Sequence, residues 1–396
     1  MTDDGELPFR FKLTATQKQL VGTVRDITQG EFKGRGLRYM DGTFPWENMR
    51  ALARMGVLGM AVPEEYGGSA LGVFDTALVL EEIAKGCYVT AMAVLGEVGT
   101  QTRIIAAHAP EPIKRRLLPA VCSGDCILAI CMTEPHAGTD VGSYTTNVER
   151  RGAALRLNGV KTLISRAEEA AAFVVFARVD GRPGTDGIGC VLVEANTPGL
   201  VRSGKFHTMG GEYLHEVRFE NCELPADHLL LGEGSLKRLL SAFNTQRCLN
   251  PSISLGIAEG AFDEALRYAR ARTAFGRSIG DFQGMRWKLA DMLREIEAAR
   301  GLLYRACATA APYPDAFLAA LAKVQCNEMA VRVTSEALQI HGGYGFTDEF
   351  LVSRLYRAAR YGSLGGGTSE TLRDLIGKRL NANADAPDGI SGLVDL

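Results

Sequence analysis

Hydrophobic positions change their spacing twice along this chain. From about Thr14 to Leu118 they recur three or four residues apart, as in Leu71, Phe74 and Leu78 or Val79 and Ile83, which predicts a zone made mainly of helices. The run Pro63-Glu64-Glu65-Tyr66-Gly67-Gly68 breaks that zone. Between about Ile127 and Leu231 the apolar runs shorten and grow rich in β-branched residues: Leu155 to Ser165, Phe173 to Val179, Gly189 to Glu194 and Val217 to Glu220. These predict a small, mostly antiparallel sheet. Asn158-Gly159, between LRL and VKTLI, predicts a two-residue hairpin turn, because such a turn needs positive φ at both central residues. After Gly234 the helical spacing returns. Phe282, Met285, Leu289, Met292, Ile296, Ala299 and Leu303 share one seam, the pattern of a helix packed at a shallow angle in an antiparallel bundle. The expected units are 1–126, 127–233 and 234–383, with a loosely held tail over 384–396.

Composition narrows the classes. With 396 residues, 46% of them hydrophobic, the chain can bury two or three sizeable cores. A net charge of −2 leaves no electrostatic footprint for nucleic acid or anionic lipid. The first residues are acidic, and no apolar run reaches the length that spans a bilayer, so a cytoplasmic protein with no membrane partner is expected. Nine cysteines lie at irregular spacings inside apolar runs, which predicts reduced, buried thiols. Cys122, Cys126 and Cys131 contain no CxxC pair and the histidines no HExxH, so no metal site is expected; His136 reads as a loop residue.

Four separated segments carry chemistry. Met132-Thr133-Glu134-Pro135-His136-Ala137-Gly138-Thr139-Asp140 resembles TEPxAGSD, and Asn158-Gly159-Val160-Lys161-Thr162-Leu163-Ile164-Ser165 resembles NGxKxWIT. Arg272-Thr273-Ala274-Phe275-Gly276-Arg277 with Phe282-Gln283 resembles RxxFGxxIxxFQ. Gln339-Ile340-His341-Gly342-Gly343-Tyr344-Gly345-Phe346, leading to Gly367-Thr368-Ser369-Glu370, resembles QIHGGxGY…GTSE. All four are signatures of the acyl-CoA dehydrogenase family, which this chain resembles over almost its whole length. The resemblance implies an α+β fold: an N-terminal helical domain, a central β-domain and a C-terminal four-helix bundle.

It also implies FAD. A flavin ring needs hydrogen-bond donors around its edge, and its diphosphate needs cations or backbone N–H groups. By resemblance Thr133 and Ser165 contact the ring and Thr139 lies near the pyrophosphate. Arg272, Phe275 and Gln283 would hold the diphosphate and adenosine, with Gln339, Gly342 and Gly343 reaching them from a neighbouring subunit. Thr368 and Glu370 match positions at the adenosine diphosphate. The family's tryptophan is Leu163 here, and Ser165 replaces a threonine. A homotetramer is implied, with an acyl-CoA or acyl-carrier-protein thioester as substrate.

The proton acceptor is missing. Family members remove the substrate α-proton with a glutamate at the position of Gly366, or with one on a bundle helix at the position of Gln246, just before Arg247. Glycine has no side chain to accept a proton, and a glutamine amide has no useful basicity. Three readings follow. A displaced carboxylate, Glu97 or Glu212, could keep the protein a dehydrogenase that passes electrons to an acceptor flavoprotein, although a surface charge is the commoner role for each. The flavoprotein could run a reaction without that base: Ser241-Ala242-Phe243-Asn244-Thr245-Gln246-Arg247 resembles desulfinase members of the family, which release sulfite without net oxidation. There Lys85, Arg103 or Arg247 could bind an anionic acyl end, although the first two also suit a helix surface. The chain could instead be a non-catalytic subunit or acyl-carrier-binding partner of an active relative.

Overall fold

A computed structural model describes residues 12–382. Six helices lead: α1 (Ala15–Ile27), α2 (Trp46–Arg54), α3 (Val73–Ala84), α4 (Tyr88–Val98), α5 (Thr100–His108) and α6 (Glu111–Ser123). Thr14 starts α1 with a capping box, its hydroxyl accepting from the Gln17 N–H while the Gln17 side chain accepts from Thr14 N–H. Helices α3 and α4 are buried nearly all round, so they form the inner layer.

The strands are β1 (Ile127–Cys131), β2 (Asn147–Arg151), β3 (Ala154–Ser165), β4 (Ala170–Val179), β5 (Ile188–Glu194), β6 (Leu200–His207), β7 (Tyr213–Pro225) and β8 (Leu229–Leu231). They form one sheet in the order β6-β7-β3-β2-β4-β5-β8, with β1 also on β4. Most pairs are antiparallel as expected; β4 pairs in parallel with β1 and β2. Successive β4 residues feed opposite cores, Val174 and Phe176 into one and Phe173, Val175 and Ala177 into the other. Burial on both faces explains why this strand reads as an unbroken apolar run.

The expected hairpin at Asn158-Gly159 does not form. Strand β3 runs straight through it, and the chain reverses earlier, at Gly152-Ala153. Asn158 and Gly159 sit at a register shift against β7, where the Asn158 Oδ1 accepts from the Asn221 N–H. Gly159 holds φ +145°, and a Cβ there would lie 2.5 Å from Thr146 Cα. The residue types that suit a tight turn serve here as a bulge with close backbone approach.

Helices α7 (Leu236–Ala271), α8 (Gln283–Ala308), α9 (Ala316–His341), α10 (Leu351–Gly362) and α11 (Ser369–Ala382) follow. The first four make the bundle, and α11 packs along α9. The α8 seam is real from Met285 to Leu303 and becomes fully buried from Met292 onward. Phe282 caps the helix instead of lying in it, its ring edge-on to Phe275. The main core joins α1–α4 to the bundle. Eight of the nine free cysteines are buried and Cys122 is half-buried. No group of metal-ligating side chains occurs, and no helix is long and apolar enough to cross a membrane, among the described residues. The tail over 384–396 lies outside those residues.

Candidate functional site

One lip of the sheet is organised by a buried ion pair. Lys161, on β3, donates to a Glu134 carboxylate oxygen at 2.9 Å and to the Met132 carbonyl at 2.7 Å, with its ammonium 3.8 Å from the Tyr144 ring centre. Glu134 also accepts from the N–H groups of Thr145 and Thr146. Burial disfavours the Glu134 charge, but Lys161 and these donors outweigh it and hold the carboxyl at about 2. The pair pins the loop after β1 against β3, where the Thr133 carbonyl accepts from Thr162 N–H at 2.8 Å. Thr133 thus lies opposite Thr162, three residues before Ser165 at the end of β3. Neither the Thr133 nor the Ser165 hydroxyl makes a hydrogen bond among the described residues, so both are free for a ligand. Leu163 occupies a bulge at φ +57° and is 52% exposed.

Gly366 and Gln246, the two positions where the resemblance places a base, lie against each other. A Cβ built on Gly366 would sit 3.7 Å from Gln246 Cγ and 3.6 Å from Lys323 Cε. Gly366 holds φ +73° in the turn after α10, and Gln246 projects from α7 without a hydrogen bond among the described residues. Lys323, from α9, is buried and donates to the carbonyls of Gly362 and Gly367, both at 2.9 Å. It thereby ties the end of α10 to the turn that carries Gly366. Burial, reinforced by the nearby Arg247 charge, brings the Lys323 ammonium down to about 7. Arg247 donates to Asn244 Oδ1 at 2.9 Å, while its buried Nε finds no partner. The groups described around Gly366 are thus an amide, a buried lysine and a nearby arginine.

Glu97 and Glu212 are not the surface charges one reading allowed. Glu97 is fully buried and accepts the Leu128 N–H, with burial pushing its carboxyl up to about 8 against the opposing pull of Arg166. Glu212 is half-buried, accepts from Tyr88 OH at 2.8 Å, and is also raised by burial. Its Oε2 has no partner. Glu212 lies two residues before Leu214, which pairs with Ser165, so it stands on the sheet side of the pocket. Lys85 is committed to Glu82 and Glu259. Arg103 is half-buried instead of surface-bound, with its Nε and one terminal nitrogen unpartnered.

Because the folded-state pKa of Glu97 exceeds its usual 4.5, its contribution to stability is complete below pH 4.5 and lost as pH rises through about 8. Unfolding free energy is expected to fall by roughly 5 kcal/mol across that whole window from this group. Urea unfolding at pH 5 and 8 should show a clearly smaller fall for Glu97→Gln, which keeps the acceptor for Leu128 but cannot ionise. An unchanged pH dependence in the variant would refute this assignment.

A second, open cleft of about 540 Å³ lies between Tyr268, Arg272, Ile279 and the turn at Gly342-Gly343. Gly342, at φ +61°, ends α9, and nothing lies within 4 Å of a Cβ on either glycine. Arg272 is exposed and has no ion-pair partner among the described residues. Nearby Phe275, at φ +53°, is 96% exposed. Gln283 and Gln339 are exposed at the ends of α8 and α9, and Thr139 is exposed in the loop after β1. Thr368 accepts from Thr371 N–H and so caps α11, with Glu370 exposed in that helix's first turn.

The N-terminal, middle and C-terminal domain models of acyl-CoA dehydrogenase match residues 14–125, 129–222 and 235–381. The chain belongs to the acyl-CoA dehydrogenase family. It is 36% identical over 381 residues to a 3-sulfinopropanoyl-CoA desulfinase from Cupriavidus necator, spanning 92% of this chain and 95% of that one. It also matches butyryl-CoA dehydrogenase from Megasphaera elsdenii with a TM-score of 0.89 at 31% identity, over 94% and 100% of the two chains. A glutaryl-CoA dehydrogenase from Mycobacterium smegmatis, solved with FADH2, gives a TM-score of 0.88 at 26% identity, over 93% and 95%.

This acyl-CoA dehydrogenase-family chain is thus an FAD-dependent flavoenzyme of acyl thioesters, with the three-domain fold the resemblance implied. The residues present suit the cofactor: two free hydroxyls at the sheet lip, an unpaired arginine beside an unobstructed glycine turn, and a bare phenyl ring. Arg272 shares one cleft with Gly342 and Gly343 in a single chain. Ser165 lines a separate cavity that shares no residue with that cleft.

Four site residues had no assigned role in the sequence reading. Lys161 and Glu134 stood inside recognised motifs, and the alternation Leu155, Leu157, Gly159, Lys161 would have put the lysine on an inward face. Lys323 follows Ala319, Ala320 and Ala322 on a buried helix face. Arg166, just beyond Ser165, carried no comparable signal.

Proposed function

We propose that this flavoenzyme acts on a short acyl-CoA at its α and β carbons without a carboxylate at either Gly366 or Gln246, and that release of an anionic β-substituent suits the site best. The observation that supports this is the close approach of Gly366, Gln246 and Lys323. FAD, when bound, supplies a two-electron acceptor against the substrate. The protein's own part is to hold the thioester between the sheet lip at Thr133 and Ser165 and the wall at Gly366 and Gln246. Arg247 makes that wall cationic, and Lys323, brought down to about 7, can gain a proton there as negative charge develops on the acyl group.

For a β-sulfinate the balance closes without an oxidant. The C–S bond breaks, its electron pair stays with carbon, carbon takes a proton from water, and sulfur takes the hydroxide to leave as sulfite. The oxidative reading keeps one specific support, the unpartnered Glu212 Oε2 beside Ser165. In that reading an electron-accepting flavoprotein is the partner.

The separation of the Ser165 cavity from the Arg272 cleft supports a reading with two chains per cofactor and a closed oligomer such as the homotetramer. The position of the thioester leaves CoA and a carrier protein as alternatives, and CoA is the simpler expectation. Anaerobic mixing of the FAD-loaded protein with 3-sulfinopropanoyl-CoA should yield sulfite and propanoyl-CoA with the flavin still oxidised. Bleaching by butyryl-CoA without any sulfite from the sulfinate would establish the oxidative reading instead.

A further inference from the structure

We propose that Arg166 is the receptor for an anionic terminus of the acyl group, so that the substrate is a short acyl-CoA ending in a carboxylate or sulfinate. The inference rests on the acyl-CoA reading of the pocket.

Arg166 follows Ser165 directly, at φ +59°, a conformation that costs a residue with a side chain and is held only when its surroundings demand it. Its guanidinium fills the space left by the missing side chain of Gly96: a Cβ there would lie 2.1 Å from Arg166 Cζ. One hydrogen bond holds it, from Nη1 to the Met92 carbonyl at 2.8 Å, and the buried Nε has no partner. No carboxylate lies within ion-pair distance of it among the described residues. Glu97, Glu169, Glu212 and Tyr361 act on it only from further away. Burial raises all four of these acids, which weakens their compensation of the cation. A guanidinium cannot shed its proton, so a largely desolvated one with spare donors is suited to an anion delivered from outside.

Its place fits the acyl end. Arg166 lines a partly open cavity of about 40 Å³ whose apolar side is Val89, Met92 and Ala93 and whose other side carries Glu168, Glu169, Glu212 and His215, so an anion must reach the guanidinium from the apolar side. Gly96 faces Arg166, and Gly99 faces Gln246, whose Oε1 lies 3.1 Å from a Cβ built there. These glycines lie three positions apart, at the last turn of α4 and just past its end, so Arg166 and Gln246 approach neighbouring points of one stretch of chain. A thioester with its α and β carbons at Gln246 would carry a group a few bonds further on to Arg166. Arg247 does not line this cavity; it stands with Asn244 and Lys323 on the bundle side.

The test titrates FAD-loaded protein with succinyl-CoA, 3-sulfinopropanoyl-CoA and butyryl-CoA, reading Kd from the flavin absorbance change and by calorimetry. The wild type should bind at least one anionic thioester about 30-fold more tightly than butyryl-CoA, and the tighter of the two identifies the terminal group. In Arg166→Gln the values should converge to within about threefold, while Arg166→Lys should retain part of the preference. Gly96→Ala, which displaces the guanidinium with Arg166 intact, should produce the same convergence and carries the test if Arg166→Gln does not fold. A preference that is absent in the wild type, or that survives both Arg166→Gln and Gly96→Ala, overturns the proposal. Binding of none of the three overturns it together with the acyl-CoA reading. A preference that depends on Arg166 without any sulfite release upholds the receptor and removes only the elimination reading.

Discussion

Gln246→Glu is expected to turn the protein into one that oxidises simple acyl-CoAs, raising the rate of anaerobic flavin bleaching by butyryl-CoA by about 100-fold or more, the scale on which a positioned general base acts. Glutamate has almost the shape of glutamine, and the Gln246 amide makes no hydrogen bond among the described residues, so the exchange disturbs no existing contact. The new carboxylate would lie near Arg247, whose charge favours its ionised form, and beside Lys323, whose lowered ammonium it would in turn stabilise. Gly366→Glu is the poorer route to the same end, since φ +73° strains any residue with a Cβ. Rapid-mixing absorbance of wild type and variant decides the matter. A variant that binds butyryl-CoA yet bleaches no faster than wild type would show that more than the base is missing.

What the sequence could disclose was set by the range of each signal. The α8 seam and the apolar run of β4 depend on residues a few positions apart, and both stand in the structure where the spacing put them. Asn158-Gly159 misled because turn propensity is local while its use as a bulge is decided by β7, some sixty residues later. The same limit hid the site. Glu134 meets Lys161, Lys323 meets Gly362 and Gly367, and Arg166 meets Met92, all across separate elements. The motifs marked which stretches matter for the cofactor. They did not disclose that a lysine stands between the two positions where a carboxylate is absent. Glu97 shows the limit from another side: a single charge in an apolar helix reads as exposed until β1 is known to lie against it.

Lys161→Met is expected to be the most damaging single change in the sheet domain, costing about 3–5 kcal/mol and most of the bound flavin. Both partners of the Lys161–Glu134 pair are completely buried, so removing the ammonium leaves a carboxylate in the interior with no opposite charge. The Thr145 and Thr146 N–H groups would still donate to it, but the Met132 carbonyl would lose its donor and the Tyr144 ring its cation. The loop bearing Thr133 would then be tied to β3 chiefly by the Thr162 N–H bond, so the lip that faces the flavin should loosen as stability falls. Acid has the corresponding effect on the native pair. The Glu134 pKa is depressed on folding, so its contribution is present above pH 4.5 and lost as pH falls through about 2. Lys161→Met with Glu134→Gln removes both charges and should recover a substantial part of the stability, because an uncharged pair leaves no isolated ion behind. Guanidinium unfolding and flavin content of the two single variants and the double variant measure this coupling. Additive losses, with no recovery in the double variant, would mean that the two residues act independently and that the lip is held by something else.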